Sequence, residues 1–462
     1  RADPTTDATA QHRLAAAQAA VLGPPAAVRL ALDAVTLLGA IGFTWEHDVH
    51  LYQRRALALA ADSGPEADWA HALGELALDH RRDFSLVGPG DLAELRAEIG
   101  PVLDRAVTLP EDDGALTGWG PAGGGPRRAV LAEAGLVAPH YSAPYGRDAG
   151  PREQAAIAQE FARRGLSQPT TVVGEWVLPT LLEHGSDAQR DRFVGATLRG
   201  EIVWCQLFSE PGAGSDLAGL STRATKVEGG WSLSGQKMWN SYAHLADWGV
   251  CLARTDPEAP RHAGISYLLV DMRSPGVEVR PIRQSTGRAE FNEVFLDDVF
   301  VPDDCLVGEP GQGWRLAGTT LANERLAMGG ALSHGGADLV RRVVAERTYA
   351  VSRDEALTVL GRNVSREMVL SALGLRSVLA RLAGGEPGAA ASVQKVLNAI
   401  AQRDGSGALV GLLGPALLVD EPDSPYAVDH LGLPAVLFGG GTIEIQLNLI
   451  ARRILALPGE PR

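Results

Sequence analysis

The run from Trp204 to Ser241 begins W-C-Q-L-F-S-E-P-G-A-G-S-D and ends G-Q-K-M-W-N-S. The first motif is a glycine-rich turn flanked by hydroxyls, where backbone N–H groups can approach a phosphate-bearing ligand with no Cβ in the way. The second closes a predicted strand with an indole and a hydroxyl, Trp239 and Ser241. That pairing suits a flat heteroaromatic ring. Taken alone, a G-A-G-S turn is common in ordinary loops, so its weight depends on what surrounds it.

The elements that must position these groups show as changes of hydrophobic period. Between residues 200 and 305 apolar and polar residues alternate, predicting strands at 222–228, 231–240, 249–255, 265–272, 277–282 and 290–301, with Gly229-Gly230 as a hairpin turn. Helical spacing flanks this block on both sides. Residues 8–80 are rich in Ala, Leu and Arg and read as two or three helices broken at Gly23-Pro24-Pro25. After Gly311 helical spacing runs to the C-terminus, interrupted at 384–388 and 420–425, and the glycine-rich stretch 109–127 reads as a flexible insertion. The expected fold class is α+β, mostly α, in the order helical, β, helical.

With 462 residues the chain exceeds the usual single-core limit, so two or three packed units are expected. Its net charge of -14 argues against a general nucleic-acid or anionic-membrane surface, and an anionic ligand must be held by local groups. Cys205, Cys251 and Cys305 are scattered and odd in number, with neither disulfide nor zinc spacing. No metal is expected, and a reducing cytoplasm fits. The N-terminal R-A-D-P-T-T does not open a secretory signal, and no uninterrupted apolar run reaches about 18 residues. A soluble, cytoplasmic protein without a membrane span is expected.

The two opening motifs resemble those that surround the isoalloxazine and pyrophosphate of FAD in the acyl-CoA dehydrogenase family. Further family-like runs follow in family order: L-A-E-A-G-L-V-A-P at 131–139, Q-E-F-A-R-R-G at 159–165, L-A-N-E-R-L-A-M-G-G at 321–330 and F-G-G-G-T-I-E-I-Q at 438–446. A segment resembling the family's last helices, 37–56, stands instead at the start of the chain. The resemblance therefore implies the tail of one unit (1–84) fused to a complete second unit. That unit has an N-terminal helical domain (85–199), a middle β domain (200–310) and a C-terminal helical bundle (311–462). A tail without its own body is expected to bury its apolar face on the second unit.

The resemblance also implies a reaction, in which an acyl-CoA thioester becomes a trans-2-enoyl-CoA as a carboxylate takes the α-proton and flavin N5 the β-hydride. In many members the base precedes the G-T of the last loop; here that position is Gly440. Other members carry it on the helix after the β domain, which points to Glu324. Helical spacing supports this independently, since Leu316, Thr320, Ala327 and Met328 share its stripe. The bland alternative is a solvated Glu324–Arg325 pair.

For the cofactor, the resemblance implies that Gln206, Phe208 and Ser209 line one flavin edge through main chain and side chain, and that Gly214 and Ser215 approach the pyrophosphate. It places Trp239 on the ring and Ser241 near N5; the alternative for Trp239 is a core position on a strand face. Thr442 and Glu444 would lie near the adenosine-diphosphate portion, although an N-cap and a favourable first-turn acid account equally for these two. The second unit lacks the family's R-x-x-F-G and Q-x-x-G-G runs. The tail offers T-L-L-G-A at 36–40, so Thr36 and Gly39 are expected to complete the flavin site. Expected partners are acyl-CoA, an electron-transfer flavoprotein as acceptor, and a pseudo-dimer or homo-oligomer with another such unit. The competing readings are an oxygen-using oxidase, a carrier-protein thioester as substrate, and a non-catalytic scaffolding half.

Overall fold

The computed structural model describes residues 7–88, 90–110, 123–331, 336–383, 390–418 and 425–458. The expected insertion at 109–127 and the interruptions at 384–388 and 420–425 fall largely outside them. The chain opens with helices α1 (Ala8–Leu38), α2 (Val49–Asp62) and α3 (Glu66–Asp79). Helices α4 (Ala93–Thr108), α5 (Pro126–Glu133), α6 (Pro151–Arg163), α7 (Gly174–His184) and α8 (Asp187–Leu198) follow. The sheet comprises β1 (Trp204–Leu207), β2 (Arg223–Val227), β3 (Gly230–Ser241), β4 (Trp248–Arg254), β5 (Ile265–Asp271), β6 (Val277–Ile282), β7 (Phe291–Pro302) and β8 (Leu306–Val307). Helices α9 (Gly313–Ala331), α10 (Ala337–Glu346), α11 (Arg353–Leu382), α12 (Ala390–Leu413), α13 (Pro425–Phe438) and α14 (Ile443–Arg453) complete it.

The expected break at Gly23-Pro24-Pro25 does not occur, because α1 runs unbroken through both prolines. Each proline removes one helical N–H bond. The pair falls just after Val21, the last buried residue of α1, where the helix leaves the protein core and solvent can bond the freed carbonyls. The helix then ends at Gly39, whose φ of +66° and N–H bond to the Thr36 carbonyl form a glycine stop.

All six strands expected from the alternation form, within a residue or two of their expected ends, and β1 and β8 are added at the margins. The sheet order is β6-β7-β3-β2-β4-β5-β8, with β1 pairing parallel to β4. At Ser186 a capping box starts α8, since its hydroxyl accepts from Gln189 N while Gln189 Oε1 accepts from Ser186 N. Gln189 Nε2 then donates to the carbonyls of Asp304 and Leu306, fastening the helical domain to the β domain.

Two hydrophobic cores result among the described residues. One runs from Ile99 to Ala317 and unites α4–α8 with the sheet and the start of α9. In the second, Leu14, Ala17, Val21, Ala70, Leu73 and Ala77 of the N-terminal tail pack with Val340, Leu357, Leu360, Leu409 and Leu412 of the C-terminal helices. Tail and bundle therefore share one core. Their closest approach is the α3–α11 crossing, where a Cβ on Gly74 would stand 1.9 Å from the Leu357 carbonyl oxygen and one on Gly361 1.8 Å from that of Ala70. Only glycine permits the two backbones to meet there. Arg362 clamps the crossing by donating to both carboxylate oxygens of Glu66.

The sheet has a polar keystone of its own. The Lys237 side chain is fully buried on β3, and its ammonium donates to Glu210 Oε1 (2.8 Å), the Phe208 carbonyl (3.1 Å) and the Leu252 carbonyl (2.8 Å). Glu210 in turn accepts from Ser221 N, Ser221 Oγ and Thr222 N. Burial alone would raise the Glu210 pKa, but the charge of Lys237 and these hydrogen bonds overcome it and hold it down at about 2. The ion pair ties the glycine-rich turn after β1 to the strand that carries Trp239.

Both features are open to stability measurements. Gly74→Ala or Gly361→Ala should destabilise the fold by about 1–3 kcal/mol through overpacking. Gly23→Ala, with open space around the added Cβ, should be neutral or stabilise by up to about 1 kcal/mol; urea unfolding of the three variants checks the contrast. Glu210→Ala should destabilise by about 3–5 kcal/mol, because it strands a buried ammonium. The pair's contribution is present above the ordinary glutamate range and is lost as pH falls from about 4.5 toward about 2. A Glu210→Ala loss below about 1 kcal/mol in denaturant titrations at pH 7 would contradict this.

Candidate functional site

The site grows from the C-terminal end of β1, where Gln206 connects the sheet to two helices. Trp176 Nε1 on α7 donates to Gln206 Oε1 at 2.5 Å, and Gln206 Nε2 donates to Glu324 Oε2 on α9 at 3.3 Å. Asn240 Nδ2 on β3 donates to the Gln206 carbonyl at 2.6 Å. Trp239, Asn240, Gln206 and Glu324 thus form one continuous path from the sheet edge to the candidate base. Gln206 lines this path, but its side chain is committed to Trp176 and Glu324, and it orients the carboxylate.

Helix α9 is held in register one turn before Glu324. Thr320 Oγ1 meets Thr180 Oγ1 of α7 at 2.8 Å and the Tyr267 hydroxyl of β5 at 3.1 Å, all in the buried interior. The expected stripe is present: Leu316 and Thr320 are fully buried and Ala327 packs against the core. The Met328 side chain lies outside the described residues. Glu324 itself is half-buried. Burial raises its pKa above the usual carboxylate value, opposed by the Gln206 hydrogen bond and by the charges of Arg325 and Lys395. The solvated Glu–Arg alternative does not describe this carboxylate.

Trp239 is not a core tryptophan. It lies in the β3–β7 register shift between Lys237 and Asn240, adopts φ of +63°, and leaves 56% of its surface exposed. A non-glycine residue in that conformation persists only where its surroundings enforce it; here Lys237 and Asn240, both buried and hydrogen-bonded, flank it. The strain presents an indole face outward. Ser241 closes the strand opposite Phe291, half-buried.

The Phe208 side chain points into the core rather than outward. Its ring is 2% exposed and packs edge-on against Tyr267, and its carbonyl is taken by Lys237. The Ser209 carbonyl accepts from Met238 N at 2.9 Å, joining the turn to the strand bearing Trp239. Beyond it, Glu210 and Ala213 close a tight turn by mutual backbone bonds, and Gly214 and Ser215 follow, exposed, with open space around Gly214. An open turn joined through Ser209 to the strand of an outward-facing indole fits a ligand with a flat ring and a pyrophosphate.

Thr442 caps α14, its hydroxyl accepting from Ile445 N, and Glu444 in the first turn is exposed. The preceding turn contains Gly440 and Gly441 at φ of +66° and +92°, and Gln446 Nε2 donates to the Gly440 carbonyl at 2.8 Å. Contact of Ser285 Oγ with the Leu431 carbonyl places α13 on the loop before β7, the strand that pairs with Ser241. Thr36 and Gly39 are not brought to this cluster. Thr36 bonds the Leu32 carbonyl within its own helix, Gly39 stands in open space, and the turn that follows it, Gly39–Phe43, packs on α1 and α2.

Sequence reasoning missed Trp176, Asn240, Lys237 and Lys395. The last is 4% exposed on α12, and its ammonium donates to the Val436 carbonyl of α13 at 2.7 Å. One signal was available: among 42 basic residues only three are lysines, Lys226, Lys237 and Lys395.

Comparison with known proteins agrees with this arrangement. The models of the acyl-CoA dehydrogenase N-terminal, middle and C-terminal domains match residues 125–201, 205–299 and 311–455. Acyl-CoA dehydrogenase FadE34 of Mycobacterium tuberculosis is 44% identical over 99% of this chain, which spans 62% of that protein's length. Acyl-CoA dehydrogenase IpdE1 of the same organism is 36% identical over 80% of this chain and 99% of its own. The structure of the Tcur3481-Tcur3483 steroid ACAD superposes with a TM-score of 0.66 at 29% identity, covering 81% of this chain and 99% of that one. The domain order, the retained glycine-rich turn and the Glu324-bearing helix all lie within these matches, and the chain belongs to the acyl-CoA dehydrogenase family.

Proposed function

We propose that this chain carries out FAD-dependent α,β-dehydrogenation of an acyl-CoA thioester, with Glu324 as the base that removes the α-proton. The observation that carries this reading is the Glu324 carboxylate, half-buried and oriented by Gln206 beside the strand that presents Trp239. Gln206 Nε2 engages Oε2 and leaves Oε1 to receive the proton. Trp176 and Asn240 fix Gln206 from either side, so the carboxylate is positioned before substrate arrives. Trp239 offers its face to the isoalloxazine, and Ser241 a hydroxyl near it. The open backbone at Gly214 and Ser215 suits the pyrophosphate, and the free N–H groups at the start of α14, with Thr442 and Glu444, suit the adenosine-diphosphate portion. FAD, when bound, supplies the acceptor for the β-hydride.

The partner is a second acyl-CoA dehydrogenase unit. Leu37, Phe43, Trp45 and Tyr52 around the end of α1 and the start of α2 are 88%, 85%, 75% and 72% exposed. By length and composition, Ala8–Phe43 and Tyr426–Arg453 could cross a membrane, but the Glu66–Arg362 clamp and shared core seat the tail on the bundle, and we read the apolar remainder as a docking face. Thr36 and Gly39 at its edge would then meet a flavin only in the assembled pair. Since one structural relative is described as a steroid ACAD, a bulky steroid-derived acyl-CoA is the substrate to test first. Electron-transfer flavoprotein is the proposed acceptor, and hydrogen peroxide release on turnover would point to oxygen instead. The three cysteines are buried free thiols, compatible with a cytoplasmic setting.

The test is anaerobic titration of the FAD-loaded protein, with its partner unit supplied, against a panel of acyl-CoAs while flavin absorbance is followed. Glu324→Gln should bind acyl-CoA yet bleach about 10²–10⁴-fold more slowly. Because burial raises the Glu324 pKa and the ionised form is the base, the native rate should rise with pH through a midpoint above the usual glutamate value. Undiminished bleaching by Glu324→Gln removes Glu324 from this role, and failure to take up FAD removes the reaction.

A further inference from the structure

Beyond Trp239 the chain turns through a second strained residue. Tyr242 has φ of +53° and Trp239 +63°, so two left-handed non-glycine residues enclose Asn240 and Ser241. Such a stretch keeps its shape only where neighbouring groups enforce it. Asn292, fully buried on β7 opposite Asn240, supplies the constraint. Its Nδ2 donates to the Asn240 carbonyl at 2.9 Å and to the Glu290 carbonyl at 3.3 Å, and the latter also accepts from Tyr242 N at 2.7 Å. On its other side Asn292 Oδ1 meets Nδ1 of the exposed His244 at 3.0 Å.

We propose that Asn292 and His244 are positioning residues, a clamp that holds Trp239 and Ser241 in place for the flavin with His244 as its Nδ1–H donor. The inference rests on the reading of Trp239 and Ser241 as flavin contacts. Hydrogen-bond accounting fixes the tautomer. Both carbonyls that face Asn292 lie on its Nδ2 side, and turning the amide over would set oxygen against oxygen. Oδ1 is therefore an acceptor, His244 Nδ1 must carry the hydrogen, and Nε2 of the neutral ring holds the lone pair. Protonation adds a hydrogen at Nε2 and leaves the Nδ1 donor in place, so the clamp survives in either charge state.

The clamp is continuous with the path to the candidate base. Asn240, whose carbonyl Asn292 holds, donates through its own Nδ2 to the Gln206 carbonyl at 2.6 Å, and Gln206 Nε2 reaches Glu324 Oε2 at 3.3 Å. Hydrogen-bonded residues therefore run in sequence from His244 at the surface through Asn292, Asn240 and Gln206 to Glu324. Side-chain amides have no ionisable proton, so this chain orients its members and relays nothing. Its outer end is the place to open it, because His244 is exposed whereas Asn292 lies in the core.

In the purified chain labelled with nitrogen-15 in its histidines, the ring signals of His244 are those lost in His244→Asn. At alkaline pH they should show hydrogen on Nδ1 and a bare Nε2; hydrogen on Nε2 overturns the proposal. With the partner unit supplied, His244→Ala should weaken FAD binding about tenfold, the worth of one hydrogen bond to a buried acceptor. His244→Asn, which keeps a donor near the Nδ1 position, should stay within about twofold of the native affinity. The urea midpoint measured without added FAD should remain near native in both variants. Native FAD affinity in His244→Ala overturns the proposal. So does an affinity loss that Asn fails to rescue and that a lowered urea midpoint accompanies in both variants, the mark of a merely structural contact. Should the native protein take up no FAD, the flavin reading fails, whereas the tautomer still decides whether the clamp exists.

Discussion

The buried pair of Glu210 and Lys237 is the interaction on which the site depends. Glu210 opens the glycine-rich turn and Lys237 precedes Trp239 by two residues, so a single ion pair joins the two chemical halves of the site. Its geometry is complete: Lys237 spends its three donors on one carboxylate and two carbonyls, and Glu210 accepts from Ser221 and Thr222 as well. A buried ion pair without such partners would be a liability. With them it locks a β-bulge, and the bulge turns the Trp239 indole outward into an otherwise unfavourable backbone conformation.

From this anchor the order of construction is clear. Strand β1 leads into the turn and carries Gln206; Asn240, next to Trp239, holds the Gln206 main chain; and the Gln206 side chain reaches Glu324. The hydroxyl junction of Thr180, Thr320 and Tyr267 fixes the height of α9 so that the reach succeeds. The second core does a different task, joining the displaced tail to the C-terminal helices through a glycine-only crossing. That crossing orders the first half of α1 and leaves its far end exposed, which is why Thr36 and Gly39 stand apart from the cluster.

Much of this was legible because period-two alternation reports strands buried on at least one face, and the sheet follows it closely. The helical breaks were less legible. Gly23-Pro24-Pro25 carries the local signature of a break, yet an exposed helix can continue where solvent replaces the lost bonds. Side-chain direction was hardest to read: Phe208 and Gln206 lie in a motif expected to face the cofactor, but β1 turns Phe208 into the core and Gln206 toward α7 and α9. On α14 the apolar residues Leu447 and Ile454 are largely exposed while Gln446 is buried against α12 and the Gly440 turn. Such placements depend on which neighbour covers the helix, and no periodicity encodes that.

What unifies the account is the claim that the carboxylate displaced from the Gly440 turn has been rebuilt at Glu324. Hydride transfer need not enter the measurement, since a positioned base exchanges the α-protons of a bound thioester with solvent. The native FAD-loaded protein, with its partner unit, should incorporate deuterium at the α-carbon of a slowly oxidised acyl-CoA in D₂O, followed by mass spectrometry, and Glu324→Gln should not. Exchange at the native rate in Glu324→Gln would place the base elsewhere and contradict the account.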